Sequence, residues 1–187
     1  LKKQNIPSEY QSKATSLNNI GAVYQKEKDF KKALEYYNLS LTSKNILKNK
    51  PVLYSALLDN MAYCEFKLNN LNNLPELFYK SLKIRNSLKY YPGIISTNLN
   101  LSEFYESQKN IPLSQKFAKE AYSLAKEKKL SNEELLSLKQ LSKVDPRNSS
   151  FYSENYIRIN DSLQLSERQI RNKLARIEFE TDDLIEQ

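Results

Sequence analysis

The feature that most constrains the fold of this chain is an internal repeat of about forty residues. Small residues at Gly21, Ala62 and Ser102 mark three copies, 41 and then 40 residues apart. In every copy an apolar residue follows nine positions later, and another small residue follows nineteen positions later. The residues at these two positions are Phe30, Leu71 and Ile111, and Ser40, Ser81 and Ala121. Self-similarity at such a period is typical of solenoids, in which a copy buries its apolar face only by stacking on its neighbours.

A fourth, weaker copy begins at Ser142, where Phe151 keeps the apolar position and Asp161 breaks the position of the second small residue. Within a copy, apolar and small residues fall at helical spacing in two segments separated by a short polar break, which predicts a helical hairpin. Small side chains let the two helices of a hairpin cross closely. We predict helices near 8–27, 30–46, 51–69, 71–88, 93–108, 111–128 and 131–143, and an eighth helix from about 150.

Composition excludes several other classes of protein. Only two glycines are present, which disfavours sandwiches, barrels and phosphate-binding loops. The chain has no histidine and a single cysteine, Cys64, which lies in an apolar helical segment. No nucleophile–base pair and no metal cluster can be assembled, so we predict no enzymatic activity, no cofactor and no metal. The net charge of +7 is spread along the chain. It indicates a solvated lysine-rich surface rather than direct binding of nucleic acid.

The first copy resembles the tetratricopeptide repeat. The residues that carry this resemblance are Leu17, Ile20, Gly21, Tyr24, Ala33, Tyr37 and Ser40. The resemblance extends over roughly residues 8–145, although the copies are longer than the usual repeat. It implies an all-α fold, a right-handed superhelix of about four stacked antiparallel helix hairpins with a long C-terminal helix. We expect the repeat array to occupy residues 1–147 and the C-terminal helix to occupy residues 148–187.

A second resemblance lies in the C-terminal stretch. Asp161-Ser162-Leu163-Gln164 and the run from Asn172 to Asp182 are similar to a segment of Bacteroidetes membrane-bound transcriptional regulators and histidine kinases. In those proteins an extracytoplasmic repeat array precedes a membrane helix and a cytoplasmic output domain. The resemblance implies the sensory part of a signalling protein, on the periplasmic side of a membrane, with a cytoplasmic location as the alternative. The competing function is a structural scaffold or adaptor without a discrete ligand. No membrane span is expected within this stretch, because no run of about 18 apolar residues occurs.

Stacked hairpins create a concave surface, and in this family the first helix of each pair lines it. Asn19, Asn60 and Asn100 occupy one equivalent position there, and Gln140 is the fourth equivalent. A carboxamide both donates and accepts hydrogen bonds, so it suits the backbone of an extended peptide. The resemblance implies this peptide-binding role. The alternative is that these side chains bond between neighbouring helices.

Four further residues are candidates for contact with a peptide. Tyr63 and Phe66 are predicted to share a face and to form an aromatic platform, with packing between repeats as the alternative. Lys26 and Lys67 are equivalent to each other and would attract a carboxylate. The third copy has Ser107 at that position, which argues against a complete carboxylate clamp.

The C-terminal helix carries an apolar seam. Leu163, Ile170, Ile177 and Leu184 recur every seven residues, and Leu174 partly fills the second seam. Such a heptad pattern predicts pairing with another helix, including that of a second copy in a homodimer. The alternative is docking onto the last repeat. We expect the first half of this helix to dock and the second half to extend.

Overall fold

A computed structural model of the chain describes residues 8–72 and 74–186, with side chains over 13–72 and 74–177. This part of the chain forms α-helices and one short 3-10 turn and contains no strand. The helices are α1 Ser8–Lys26, α2 Phe30–Leu41, α3 Ile46–Asn49, α4 Pro51–Lys67, α5 Leu74–Ser87, α6 Tyr91–Ser107, α7 Ile111–Glu127, α8 Ser131–Val144 and α9 Ser149–Glu186. None of them is long and apolar enough to cross a membrane, within the residues described. The predicted all-α fold is confirmed.

Four helix pairs follow one another along the array: α1 with α2, α4 with α5, α6 with α7, and α8 with α9. The second helix of each pair also packs on the first helix of the next, so the pairs form one continuous stack. The core is correspondingly divided into clusters along the array. Tyr37 and Leu57 belong to the first, Phe78 and Leu101 to the second, and Leu138 to a later one. Each cluster draws on neighbouring pairs, as expected for a helical-repeat fold.

The small residues of the repeat lie where helices touch. Ser40 Oγ donates a hydrogen bond of 2.8 Å to the carbonyl oxygen of Ala14, in the first helix of its own pair. Ser81 Oγ makes the equivalent bond of 2.8 Å to the carbonyl oxygen of Ser55. Gly21 is required for a different reason, because a Cβ built on it would lie 2.5 Å from the ring of Tyr37. These contacts explain why a larger side chain cannot occupy the repeated positions.

Five helix ends share one turn geometry that the composition conceals. Lys28, Asn69, Lys89, Lys109 and Lys129 have φ between 52° and 64°, the left-handed region that usually favours glycine. In each turn the next backbone N–H donates to a carbonyl five residues earlier, at 2.9 to 3.0 Å. The array therefore closes its helices with lysine and asparagine, which is how a chain with two glycines makes so many tight turns.

The predicted helix over 30–46 is too long. Helix α2 ends at Leu41, and a four-residue helix follows over Ile46–Asn49. Asn45 between them has φ of 58°, which a continuous helix does not permit. The break turns Ile46 inward, where it is buried against the first core cluster.

The C-terminal helix α9 follows a 3-10 turn over Pro146–Asn148. Near its start, Tyr152 is buried against α8, and its hydroxyl donates to Asp145 Oδ2 at 2.9 Å. Lys119 Nζ lies 3.8 Å from the same carboxylate. Farther along, Leu165, Ile170 and the residues around them are exposed. The first part of α9 thus caps the array, and the remainder leaves it.

A groove along the first helices as the candidate functional site

Three depressions lie along the first helices of the pairs. The Lys26 depression, of about 550 Å³, is bordered by Lys26, Lys28, Phe30, Tyr63 and Lys67 together with Ala22 and Gln25. The Leu136 depression, of about 660 Å³, lies between α4, α6 and α8 and includes Leu99, Glu103, Leu136, Lys139 and Lys143. The Lys50 depression, of about 600 Å³, lies where α4 and α6 begin and includes Lys50, Val52, Leu53, Arg85 and Gly93.

Neighbouring depressions share lining residues, and the three together are called the groove below. Tyr63 borders both the Lys26 and the Leu136 depressions. Pro92 and Ser96 border both the Leu136 and the Lys50 depressions. At the centre, Leu136 is 57% exposed, an apolar side chain left open to solvent in the groove.

Two members of the predicted amide row, Asn100 and Gln140, line the Leu136 depression, and Asn19 and Asn60 line none of the three depressions. Three of the four members bond between helices. Asn60 Nδ2 donates to Asn18 Oδ1 at 3.4 Å, which joins α4 to α1. Asn100 Nδ2 donates to Asp59 Oδ2 at 3.2 Å, which joins α6 to α4 in the equivalent way. These are the interhelical bonds that the alternative interpretation anticipated.

The remaining members of the row differ in their surroundings. Gln140 Nε2 donates to Glu106 Oε2 at 2.9 Å and to Ser102 Oγ at 3.1 Å. Asn19 is exposed, and its oxygen accepts a 3.4 Å bond from Asn18. Among the described residues, no group donates to the side-chain oxygen of Asn60 or Asn100. Both oxygens therefore keep their capacity to accept a hydrogen bond.

Tyr63 and Phe66 meet edge to face, with ring centroids 6.4 Å apart. Tyr63 borders the groove, whereas Phe66 packs on Phe104 with ring centroids 5.8 Å apart. Lys67 Nζ lies 4.9 Å and 4.8 Å from the Tyr63 and Phe66 ring centroids and bonds to Glu103. Burial works to lower the pKa of Lys67, but the hydrogen bond and charge of Glu103, together with Tyr63, outweigh burial and raise the pKa. Lys67 is thus charged but paired.

Lys26, the equivalent of Lys67 in the first repeat, is exposed at the edge of its depression. The structure therefore places Tyr63, Lys26 and Lys67 together at one end of the groove and assigns Phe66 to packing. No sequence pattern separated Phe66 from Tyr63, because both lie on the same predicted face.

A buried ion pair beside the groove was not anticipated from the sequence. The side chains of Arg85 and Asp59 are 5% and 1% exposed, and Arg85 Nη1 donates to Asp59 Oδ2 at 2.9 Å. Arg85 Nη1 also donates to the Gly93 carbonyl at 2.8 Å and to Thr97 Oγ1 at 2.6 Å. Burial raises the pKa of Asp59, and the Arg85 guanidinium opposes that shift.

One residue, Cys64, bears on whether the chain could do chemistry. Cys64 is fully buried, and burial raises the pKa of its thiol to about 12, so it is not a nucleophile at neutral pH. Its Sγ lies 3.6 Å from Gln25 Oε1. The described residues contain no cluster of three or more metal-ligating side chains.

The predicted seam on α9 faces solvent over most of the part described. Leu163 is half-buried, while Ile170 and Leu174 are 60% and 59% exposed. Ile177 continues the same face of the helix. The side chain of Leu184 lies outside the described residues.

Comparison with known proteins supports the fold. The structure is similar to that of BtubC (BKLC) from P. vanneervenii, with a TM-score of 0.68 over 88% of this chain and 68% of that chain. The two sequences are 16% identical over this alignment, so the likeness concerns the fold alone. No family model matches the chain, and no curated protein matches its sequence. The chain is a helical-repeat protein.

Proposed function

We propose that this chain is a protein- or peptide-binding tetratricopeptide-type module that holds an extended ligand in the groove along α1, α4, α6 and α8. The single observation that carries the proposal is the row of three adjoining depressions, in which the Lys26 and Leu136 depressions share Tyr63 and the Leu136 and Lys50 depressions share Pro92 and Ser96. The side chains that line the groove change in character along its length. An apolar centre at Leu136 is flanked by lysines, and carboxamide oxygens are open beside it.

We further propose that the module is the sensory part of a signal-transducing or transcription-regulating protein. The support is the C-terminal helix α9, which leaves the array and exposes an apolar seam that includes Ile170 and Leu174. Pairing of this seam with that of a second copy would join two arrays, and occupancy of the groove would alter that pairing. The periplasmic side of a membrane-anchored protein remains our proposed location, on the resemblance alone.

Capture of partners by an affinity-tagged chain tests the groove. The informative variant is Leu136→Asp, because Leu136 is exposed in the groove and its replacement leaves the core intact. The matched control is Leu39→Asp on α2, where the leucine is 51% exposed and lies outside the groove. Alanine at Asn60 and Asn100 is less informative, since it removes interhelical bonds as well as ligand contacts.

The proposal expects a partner that is retained by the unmodified chain and by Leu39→Asp but lost by Leu136→Asp. Equal recovery on all three chains contradicts the groove. Loss on Leu39→Asp alone supports the competing function, a scaffold that uses the faces formed by the second helices. Circular dichroism of each variant confirms that the array is folded.

A further inference from the structure

Each interface between neighbouring helix pairs covers the same two positions of the first helix, one before and two after the small residue that marks the repeat. The first position holds Met61, Leu101 and Leu141, and the second holds Cys64, Phe104 and Val144. Each of these residues packs in a core cluster with the preceding pair, through Tyr37, Phe78 or Ala118. Met61 is partly buried, and the others are at most 5% exposed. The two positions therefore belong to the surface through which one pair stacks on the pair before it.

On α1 the same two positions are apolar but uncovered. They hold Ile20 and Val23, which are 40% and 56% exposed. Asn19 beside them is the one member of the amide row that makes no interhelical bond within the described residues. We call Asn19, Ile20 and Val23 the first edge. Terminal repeats of a solenoid usually carry a polar outer face, whereas the first edge keeps the apolar residues of an internal interface.

The opposite end of the array presents the other half of such an interface. Ser102 on α6 faces the next pair, since its Oγ accepts a 3.1 Å hydrogen bond from Gln140 Nε2 of α8. The equivalent residue on α8 is Ser142, which borders a depression of about 290 Å³ between α8 and α9. Tyr156 and Ile157 of α9 border the same depression and are exposed. We call Ser142, Tyr156 and Ile157 the last edge.

The two edges complement each other in the way that the internal interfaces define. The apolar residues of the first edge would cover Ile157 and its depression, so that both faces lose apolar surface to water. Asn19 would donate to Ser142 of a second copy, as the equivalent amide of α8 does to Ser102 within the chain. Ser142 Oγ donates to the carbonyl oxygen of Lys139, which leaves the hydroxyl oxygen able to accept that bond.

We propose that the first edge of one copy stacks on the last edge of a second copy, so that the chain associates head to tail through an interface of its own repeat. The proposal goes beyond the peptide-binding function and does not depend on it, because it uses neither a ligand of the groove nor the seam of α9. The contact is heterologous, since each copy contributes a different face. A dimer therefore keeps one free edge at either end, and further copies add to it.

Sedimentation velocity of the Ile170→Asp chain tests the proposal, because this background substitution removes pairing through the α9 seam. Between about 1 µM and about 1 mM, the weight-average sedimentation coefficient should rise as dimers and longer chains form. Val23→Asp and Ile157→Asp, each added singly to this background, should leave monomers, since the interface would bury an unpaired carboxylate. Both residues are exposed in the single chain, so neither substitution disturbs the core. Leu39→Asp on α2 is the matched control and should associate like the background chain.

Mixing the two monomeric variants is the decisive step. The Val23→Asp chain keeps its last edge and the Ile157→Asp chain keeps its first edge, so an equimolar mixture should form dimers and nothing larger. A symmetric interface, which uses the same face of both copies, would not be restored by mixing. A background chain that stays monomeric throughout, single variants that associate like the background, or a mixture that stays monomeric would each overturn the proposal.

Discussion

Arg85→Met tests the buried ion pair directly. The substitution keeps a long apolar side chain but leaves the Asp59 carboxylate, which is 1% exposed, with only the neutral side chains of Asn100 and Thr97 to stabilise it. Removing one partner of a buried pair costs about 3–5 kcal/mol, since the other charge remains buried and uncompensated. Both side chains are shielded from water, so screening does not reduce this loss. With a urea dependence of about 2 kcal/mol/M, the midpoint of unfolding should fall by about 2 M.

The pH dependence of this loss is the sharper part of the prediction. Burial raises the pKa of Asp59, and removing Arg85 removes the group that opposes the shift. A carboxyl group with a raised folded-state pKa gives stability below its unfolded pKa of 3.8 that is lost as the pH rises through the folded value. The loss in free energy of unfolding that Arg85→Met causes, relative to the unmodified chain, should therefore be largest at neutral pH and become smaller as the pH falls.

Urea titrations followed by circular dichroism, at neutral pH and at about pH 4, measure both effects. The double variant Asp59→Leu/Arg85→Met serves as the control, because it removes the charge together with its partner. This double variant should be more stable than Arg85→Met at neutral pH. Its free energy of unfolding relative to the unmodified chain should not recover as the pH falls. A midpoint shift below about 0.5 M for Arg85→Met, or a deficit that is independent of pH, would refute the reasoning.

Three further outcomes are expected. Lys109→Gly should stabilise the array by about 1 kcal/mol, because Lys109 has φ of 57°, where glycine is not strained. Lys80→Gly in the middle of α5 should instead destabilise the array by about 1 kcal/mol, and thermal melts of the two variants measure these opposite effects. Asp145→Asn should lower the melting temperature at neutral pH. The bonds from Asn148 and Tyr152 lower the pKa of Asp145, so the stability it contributes is present above 3.8 and lost as the pH falls through the folded value. Thermal melts over a pH series test this, with Asp161→Asn at an exposed position as the control that should have no effect. A difference in melting temperature between Asp145→Asn and the unmodified chain that persisted in acid would contradict the prediction. Cys64 should react with a thiol reagent only after unfolding, because burial raises its pKa to about 12, and labelling of the native chain would count against that burial.

The stacking of helix pairs was predictable because it depends on spacing. Small residues recur at the repeat positions of Gly21 and Ser40 because helices cross there, and the structure shows the contacts at both. Helix ends were less predictable, because their left-handed turns use residues such as Lys109, which carry no turn signal in a sequence. At Asn45 a signal was present, because asparagine tolerates the left-handed region, and the predicted helix over 30–46 overlooked it.

The groove was predictable in position but not in chemistry. The equivalence of Asn60 and Asn100 placed them correctly along the first helices, whereas their bonds depend on which residue the neighbouring helix presents. Arg85 did leave a signal. It lies four residues after Ser81 and seven after Phe78, on the buried stripe of α5, where a charge requires a partner.

The measurement that tests the central claim most directly is site-specific photocrosslinking in the full chain. A benzoylphenylalanine at Ser96, the exposed wall shared by two depressions, is compared with one at Lys83 on α5. The account predicts a crosslinked partner from position 96 and none from position 83. A partner crosslinked from position 83 and absent from position 96 would contradict binding in the groove.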